Sequence, residues 1–263
     1  RVVSTVTAGG KTVDTYTTPL GIRTIEFTTD RGFFLNGEHV DIKGVCLHHD
    51  YGPIGTAFYP RALEWQLEIL REMGCNAIRT AHNPRDPEFY HICDRMGFMV
   101  MDEAFDVWKA SKLPNDYSLL FDEWHERDLT SMVRRDRNHP SIVIYSIGNE
   151  VNEQHQNRVE YPTQGGDIAK RLVEICKQHD PTRPITAACN HRGAAEKAGI
   201  VAPLDVYGQN YGLTQYEHFT RDKPVIGTEN ATSFITRGAY SYEIARDGGR
   251  IALAIQDLKD NRQ

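Results

Sequence analysis

The sequence lacks several features that define other classes of protein. No run of apolar residues approaches the roughly 18 needed for a transmembrane helix, and residues 1–20 lack the apolar centre of a signal peptide. Positive charge is not in excess either: Lys and Arg number 30 against 36 Asp and Glu, and the net charge of -6 is spread along the chain. Neither nucleic acid nor a membrane is therefore expected as a partner.

Cysteine is sparse and has no recognisable pattern. The five cysteines are odd in number and none has a CxxC spacing, so neither a disulfide framework nor a zinc knuckle is predicted. The sequence also has no internal repeat, low-complexity tract or linker. With 263 residues, 40% of them hydrophobic, the chain can form one α/β barrel or two smaller domains.

Residues 1–38 have the composition of β-strands. Arg1–Thr7 and Gly21–Thr29 read as strands, and Gly9-Gly10 suits a turn. Because two or three strands do not form a stable sandwich alone, this segment is expected to be the end of a β domain. We therefore expect the true N-terminus to lie upstream, which leaves the localisation open between cytoplasmic and periplasmic or secreted.

From about Val40 short apolar runs alternate with helical stretches, which is typical of a parallel sheet covered by helices. The predicted helices are Arg61–Met73, Pro87–Met96, Phe121–Arg137 and Asp167–His179. The predicted strands are Asp41–Leu47, Asn76–Thr80, Phe98–Asp102, Ile142–Ile147, Pro184–Ala188, Asp205–Gln209 and Pro224–Thr228. Residues 231–263 read as loop and helix, with a helix around Ile251–Ile255, so no eighth strand is predicted. A doubly wound sheet usually has a Gly-rich phosphate turn after its first strand, and the absence of one here favours a barrel.

Polar residues follow six of the seven predicted strands. In a barrel the site forms at the carboxyl ends of the strands, so these side chains are expected to converge. They are His48-His49-Asp50, His82-Asn83 after the strand that contains Arg79, Asp102-Glu103, Asn149-Glu150, Asn210-Tyr211 and Glu229-Asn230. Each alone fits a helix cap or a satisfied hydrogen-bonding residue. Together they predict a sugar-binding site that includes Asn83 and Asp102.

Two glutamates, Glu150 and Glu229, directly follow buried runs. Cleavage of a glycosidic bond needs one protonated carboxyl to protonate the leaving oxygen and one ionised carboxylate to attack the sugar or activate water. The sequence leaves two interpretations of Arg79 open. It either keeps Glu229 ionised across the barrel mouth or forms a structural ion pair inside the barrel.

Several motifs, in their order and spacing, resemble glycoside hydrolase family 2. They are Leu35-Asn36-Gly37 with Lys43-Gly44-Val45, Ile78–Pro84, Met101-Asp102-Glu103, Arg137–Ser141 and Gly148-Asn149-Glu150. The resemblance implies a jelly-roll sandwich, an immunoglobulin-like sandwich and then a catalytic (β/α)8 TIM-type barrel. Residues 1–38 would be the C-terminal part of the immunoglobulin-like domain, and residues 39–263 the barrel without its last strand.

The resemblance also implies roles for individual residues. Glu150 matches the acid/base and Glu229 the nucleophile of a retaining glycosidase. Asn149 matches a residue that contacts the sugar 2-hydroxyl. The other matches are Arg79 and Tyr211, which lie beside the nucleophile, and His48 and His82, which bind sugar hydroxyls.

No cofactor is expected. Large bacterial β-galactosidases of the family have a magnesium site formed by a carboxylate and a histidine after the third strand. Here Asp106 is followed two residues later by Trp108, so a magnesium requirement is doubtful. Because the first and seventh strands would keep unpaired edges, this chain alone is expected to be inactive, and a homo-oligomer is a possible assembly.

The run Gly227–Ser233, continued by Thr236-Arg237-Gly238, resembles the β-galactosidase branch. Terminal β-galactosides, in oligosaccharides or other glycosides, are therefore the predicted substrates, with β-glucuronides and β-mannosides as alternatives. A metal-dependent amidohydrolase barrel is a hypothesis from another class, but His48-His49 lacks its His-x-His spacing. A non-catalytic carbohydrate-binding barrel is a third hypothesis, and the presence of both glutamates disfavours it.

Overall fold

The computed structural model describes residues 1–155, 164–212 and 222–231, with the backbone of residues 243–247 and 250–254. Seven parallel strands form one sheet in chain order. They are β6 Gly44–Leu47, β7 Ala77–Thr80, β8 Met99–Glu103, β9 Ile142–Asn149, β10 Ile185–Cys189, β11 Tyr207–Asn210 and β12 Val225–Glu229. The Sγ atom of Cys46 on β6 lies 3.3 Å from the carbonyl oxygen of Thr228 on β12. The sheet is therefore a nearly closed barrel, and all seven predicted strands are confirmed.

The described helices follow the strands and cover the outer face of the sheet. They are α1 Pro60–Glu72, α2 Pro87–Met96, α3 Ser118–Asp136, α4 Gln164–His179 and α5 Arg192–Lys197. The first four confirm the prediction, whereas α5, with six residues, is too short to show periodicity in the sequence. The start of α2 has strong local signals, because Asp86 accepts a hydrogen bond from the amide of Glu88 and Pro87 occupies the first turn. None of the described helices is long and apolar enough to cross a membrane.

The side chains of the strands alternate between two apolar layers. On β8, Val100 belongs to the layer between sheet and helices, whereas Met99 and Met101 belong to the layer inside the barrel. The inner layer continues into Phe33, which is 5% exposed and lies on β4 Phe33–Leu35. Strand β4 pairs with β3 Ile25–Phe27 and β5 Glu38–His39. This small antiparallel sheet packs against the amino-terminal ends of the barrel strands and leaves their carboxyl ends for the site.

A hairpin at the start of the chain is not part of the barrel sheet. Strands β1 Val2–Ala8 and β2 Lys11–Thr18 pair with each other and are almost wholly exposed. The assignment of residues 1–38 to an immunoglobulin-like domain stays a prediction.

Residues 231–263 form a second compact unit. Within it β13 Glu243–Asp247 pairs antiparallel with β14 Arg250–Ala254, so the helix predicted around Ile251–Ile255 is wrong over residues 251–254. A short apolar run is ambiguous between helix and strand, and the Gly248-Gly249 dipeptide that precedes it is a hairpin signal in the sequence.

Candidate active site

Arg79 is the centre of a hydrogen-bond network at the carboxyl ends of the strands. Arg79 lies on β7, and its side chain, which is 4% exposed, is directed into the barrel. It donates to both carboxylate oxygens of Glu103, at 2.9 and 2.8 Å, and to Oε1 of Glu229, at 2.7 Å. Both interpretations of Arg79 are therefore present in one geometry: it forms an internal ion pair and also contacts the second catalytic candidate.

Glu229 is held in its ionised form. Burial alone would raise the pKa of this carboxyl, but hydrogen bonds from Arg79 and Tyr211 outweigh burial and hold the pKa below its usual range. The Tyr211 hydroxyl lies 2.8 Å from Oε2, so each carboxylate oxygen has one donor. An ionised carboxylate at the carboxyl end of β12 has the charge state that nucleophilic attack requires.

Glu150 has different surroundings. Its two carboxylate oxygens accept from the side-chain amides of Asn210, at 2.7 Å, and Asn190, at 2.8 Å. Among the described residues no Lys, Arg or His forms an ion pair with it. Glu150 and Tyr211 both have positive φ, 43° and 60°, in the left-handed region that non-glycine residues seldom adopt. Such conformations concentrate at functional sites, where the surrounding structure holds them.

A chain of amides connects the two glutamates. The Asn210 amide that donates to Glu150 also donates to Oδ1 of Asn149, at 3.2 Å. That same Oδ1 accepts from Arg79 at 2.8 Å, and Arg79 contacts Glu229. Asn210 is itself oriented by the hydroxyl of Thr228, which donates to its Oδ1. The network thus fixes the relative positions of the two carboxylates.

Two of the predicted histidines adjoin this network. His82 has Nδ1 at 2.8 Å from Glu103 and Nε2 at 3.7 Å from Glu229. The ring of His48 lies edge-on to that of His82, with centroids 5.2 Å apart. Burial, and then the neighbouring His82, lower the pKa of His48 below its usual value, which favours a neutral ring able to donate and accept hydrogen bonds with hydroxyls. Asn83 is exposed, and its role in binding stays a prediction.

The structure places Asp102 away from the site. The predicted substrate contact is wrong, because Asp102 is 0% exposed and accepts from the Tyr90 hydroxyl of α2 at 2.6 Å. It points outward with Val100, whereas Met99, Met101 and Glu103 point inward. Successive side chains of a strand point to opposite faces of the sheet. This alternation along β8 identifies Glu103, rather than Asp102, as the residue that faces the site.

Asp102 is expected to make stability depend on pH. Burial and the adjacent Asp136 raise its pKa to about 8, whereas the unfolded value is about 3.9. Between about pH 4 and pH 8 the folded state therefore binds more protons, and stability decreases as pH rises. Asp102→Asn, which mimics the protonated form, should raise the thermal midpoint of the full-length protein more at about pH 8 than at pH 5. Calorimetry that gave equal changes at both pH values would contradict this.

Several residues of the network were not selected from the sequence. Asn210 and Glu103 lie at predicted strand ends beside the residues that were chosen. The alternating direction of side chains along a strand could have identified both of them. Asn190 directly follows β10 and could have been found by the strand-end rule. Lys112, whose ammonium lies 2.8 Å from the backbone carbonyl oxygen of Asn149, is in a loop, where sequence spacing carries no positional information. Ser146 donates to Glu103 at 2.6 Å and is the inward-facing residue of β9 opposite it.

A cavity of about 790 Å³ opens beside Glu150. Asn190 and Asn210, the two residues that bond Glu150, are part of its wall. The other polar lining residues include His155, His191, Arg192 and Tyr211. A polar cavity of this volume next to a carboxyl group suits a hydroxyl-rich ligand.

The metal-dependent alternative finds no support at this position. In the part of the chain that the structure describes, the group with metal-ligand geometry is His91, Asp94 and His139. It involves neither His48 nor His49, which an amidohydrolase would use at its first strand. Two carboxyl groups with sugar-compatible polar groups at the strand ends are instead the arrangement that barrels of the glycosidase class use.

Comparison with known proteins identifies the family. The model of the TIM barrel domain of glycosyl hydrolases family 2 matches residues 27–244. The chain therefore belongs to glycoside hydrolase family 2, as the motifs predicted, and the amidohydrolase hypothesis is wrong.

Similar proteins carry two different names. A β-galactosidase of Bacteroides ovatus is 43% identical over 91% of this chain and 31% of its own length. A β-glucuronidase of Bacteroides fragilis is 38% identical over 70% of this chain and 26% of its own length. A crystal structure of a family 2 member from Bacteroides cellulosilyticus has a TM-score of 0.78 and 39% identity, and the match covers 86% of this chain and 29% of that one. The chain thus spans about a third or less of these relatives.

Proposed function

We propose that the protein containing this chain is a retaining glycosidase that cleaves terminal β-D-glycosides, preferentially β-galactosides. One observation carries the proposal. The carboxylates of Glu229 and Glu150 have contrasting environments. Glu229 contacts a guanidinium, whereas the side-chain donors to Glu150 within the described residues are the neutral amides of Asn190 and Asn210. Acid catalysis paired with nucleophilic attack requires one protonated and one ionised carboxyl group, and unlike environments for two carboxyl groups support that pairing of roles.

The proposed reaction proceeds in two displacements. In the first, Glu229 attacks the anomeric carbon while the protonated Glu150 transfers its proton to the leaving glycosidic oxygen. The bond to the leaving group breaks and a glycosyl ester of Glu229 forms. In the second, Glu150 removes a proton from water, the water oxygen attacks the anomeric carbon, and Glu229 leaves as a carboxylate. Two inversions return the sugar to its original configuration.

The remaining network residues would bind and orient the sugar. Asn149 has its amide beside Arg79 and between the two glutamates, where a hydroxyl adjacent to the anomeric carbon would lie. His48 and His82 form a polar edge on the Glu229 side. The polar cavity beside Glu150 would receive the leaving group, and its hydrogen-bonding side chains favour a sugar over an apolar aglycone.

The choice of sugar rests on sequence similarity. The run from Gly227 resembles the galactosidase branch, and the Bacteroides ovatus relative is named a β-galactosidase. Relatives named β-glucuronidase, including the human one at 32% identity, support glucuronides as a second candidate. Purified full-length protein should be assayed on 4-nitrophenyl β-galactoside, β-glucuronide and β-mannoside. We expect the highest kcat/KM on the galactoside, a dominant glucuronide rate would select the second candidate, and no hydrolysis of any β-glycoside would refute the proposal.

The 263-residue chain alone is expected to be far less active than the full-length protein. In the described residues β6 and β12 form the two ends of the sheet and share no backbone pairing. This side of the barrel therefore resists a displacement of Arg79 relative to Glu229 less than a fully paired sheet would. A shift of about 1 Å can lower a rate about a hundredfold. Equal kcat/KM values for fragment and full-length protein on the same aryl glycoside would contradict this expectation. Homo-oligomer formation and localisation stay predictions.

A further inference from the structure

Lys112 and Asp106 lie beside the network without contacting either glutamate. The Lys112 ammonium donates to Oδ1 of Asp106 at 2.7 Å and to the backbone carbonyl oxygen of Asn149 at 2.8 Å. The same Asp106 oxygen accepts from the side-chain amide of Asn149 at 2.9 Å. These three contacts, here called the Lys112 bridge, hold both the main chain and the side chain of the residue that precedes Glu150.

The Lys112 bridge decides which way the Asn149 amide points. Its nitrogen faces the carboxylate of Asp106, so its oxygen faces two donors, Arg79 and Asn210. A reversed amide would bring its NH2 group against both donors and its oxygen against the carboxylate. Asp106 therefore fixes the amide that joins the two halves of the catalytic network.

The bridge also supports an unusual backbone conformation. The carbonyl oxygen that accepts from Lys112 belongs to the peptide bond between Asn149 and Glu150, and Glu150 has a φ of 43°. A left-handed conformation at a non-glycine residue persists where surrounding contacts hold it. Lys112 thus contributes to the direction in which the Glu150 side chain leaves the main chain.

The bridge supplies a positive charge to an acidic site. Four carboxylates, Glu103, Glu150, Glu229 and Asp106, belong to the connected network, against the permanent cations Arg79 and Lys112. Burial raises the pKa of Asp106, but hydrogen bonds from Lys112 and Asn149 outweigh it and leave the pKa below its usual value. The Lys112 ammonium, 2.7 Å from Oδ1, therefore neutralises the Asp106 carboxylate.

A divalent cation does not fit this arrangement. Magnesium prefers six oxygen ligands in near-octahedral geometry, and the ammonium of Lys112 already lies 2.7 Å from the Asp106 oxygen. Trp108, at the position where the resemblance implies a histidine ligand, is fully buried and donates to the carbonyl oxygen of Ile147. The side chains around Asp106 thus suit a bound ammonium rather than a metal ion.

We propose that Lys112 is a positioning residue that takes the place of a divalent cation at Asp106, so that the enzyme needs no magnesium. This inference rests on the proposed glycosidase function. Lys112 neutralises Asp106, fixes the Asn149 amide and holds the peptide bond that leads to Glu150. It touches neither the substrate nor the reacting atoms.

The first test compares Lys112→Met with Lys112→Arg in the full-length protein. We expect Lys112→Met to lower kcat/KM on an aryl glycoside about 10- to 100-fold, as loss of an orienting contact does at other sites. The basic limb of its pH profile should move to higher pH, because an uncompensated Asp106 charge raises the pKa of the nearby acid. Lys112→Arg, which keeps the charge, should retain most activity and the wild-type profile. Lys112→Gln serves in the same role if Lys112→Met does not fold.

A second test asks whether the protein requires or binds magnesium. Wild-type protein should keep its activity after dialysis against EDTA, and calorimetric titration with magnesium should give no binding heat. An unchanged pH profile and kcat/KM in Lys112→Met, with an active wild type, would overturn the positioning role alone. Saturable magnesium binding that Asp106→Asn abolishes would overturn the replacement of the cation, and this readout needs no substrate. Failure of the proposed function would instead appear as an inactive wild type.

Discussion

Glu229→Gln is expected to abolish turnover, with kcat reduced on the order of 10⁴-fold or more on an aryl glycoside. An amide cannot form the glycosyl ester, and the rest of the network cannot substitute for it. Arg79 would lose its anionic partner at Oε1, but Glu103 still holds its guanidinium in place. The loss should therefore be chemical rather than structural, and the thermal midpoint should change little.

Two further measurements make the assignment of Glu229 specific. A mechanism-based 2-fluoroglycoside should label Glu229 in the wild-type protein, as found by peptide mass analysis. Azide added to Glu229→Gly should restore part of the rate, because a small anion can occupy the space of the missing carboxylate and attack the anomeric carbon. Glu68→Gln, an exposed change on α1, is the matched control and should leave kcat unchanged. A label on Glu103 would mean that the nucleophile has been assigned to the wrong carboxylate.

Glu150→Gln should have an effect that depends on the leaving group. A general acid contributes roughly 10²- to 10⁴-fold, and this contribution matters only where the departing oxygen needs a proton. We expect kcat/KM to fall by about that factor for a β-linked disaccharide and to change about tenfold or less for a dinitrophenyl glycoside. The ratio of the two substrates in wild type and variant is the measured quantity.

The pH profile provides the second readout for Glu150. If the basic limb of kcat/KM reports this carboxyl, it should disappear in Glu150→Gln. Asn190→Ala removes one amide donor from Glu150 without removing the acid, so it should shift that limb while keeping it. A Glu150→Gln enzyme with equal losses on both substrates and an intact basic limb would show that another group protonates the leaving oxygen.

Local sequence patterns located the strands and most of the site. Each of the seven barrel strands is a short apolar run, and for six of them the polar residues at the strand end were identified from the sequence. Glu150 and Glu229 were found in this way because only their position at a strand end was needed. Arg79, His82 and Asn149 were found by the same rule, and the structure brings all of them into one network.

The choice between neighbouring residues needed the direction of each side chain. Asp102 and Glu103 are adjacent carboxylates at the end of β8, and the sequence-based prediction chose the wrong one. Their directions are set by the register of β8 in the closed sheet, where Glu103 stands opposite Ser146 of β9. The amino-acid composition does not reveal this register, although Met99 and Met101, which face the inside of the barrel, are consistent with it.

By itself, the sequence determined the barrel, its strand ends and the two glutamates, since each depends on residues that are close together along the chain. Only the tertiary structure decided which groups surround them. The contact of Arg79 with Glu229 joins residues 150 positions apart, and that of Asn210 with Glu150 joins residues 60 apart. Lys112 lies in the loop between β8 and α3, and only the fold brings it to the site. Such contacts exist because the parallel sheet brings the carboxyl ends of distant strands together and curves until β6 approaches β12. The hydrogen bonds from Arg79 and Tyr211 that this arrangement supplies lower the pKa of Glu229.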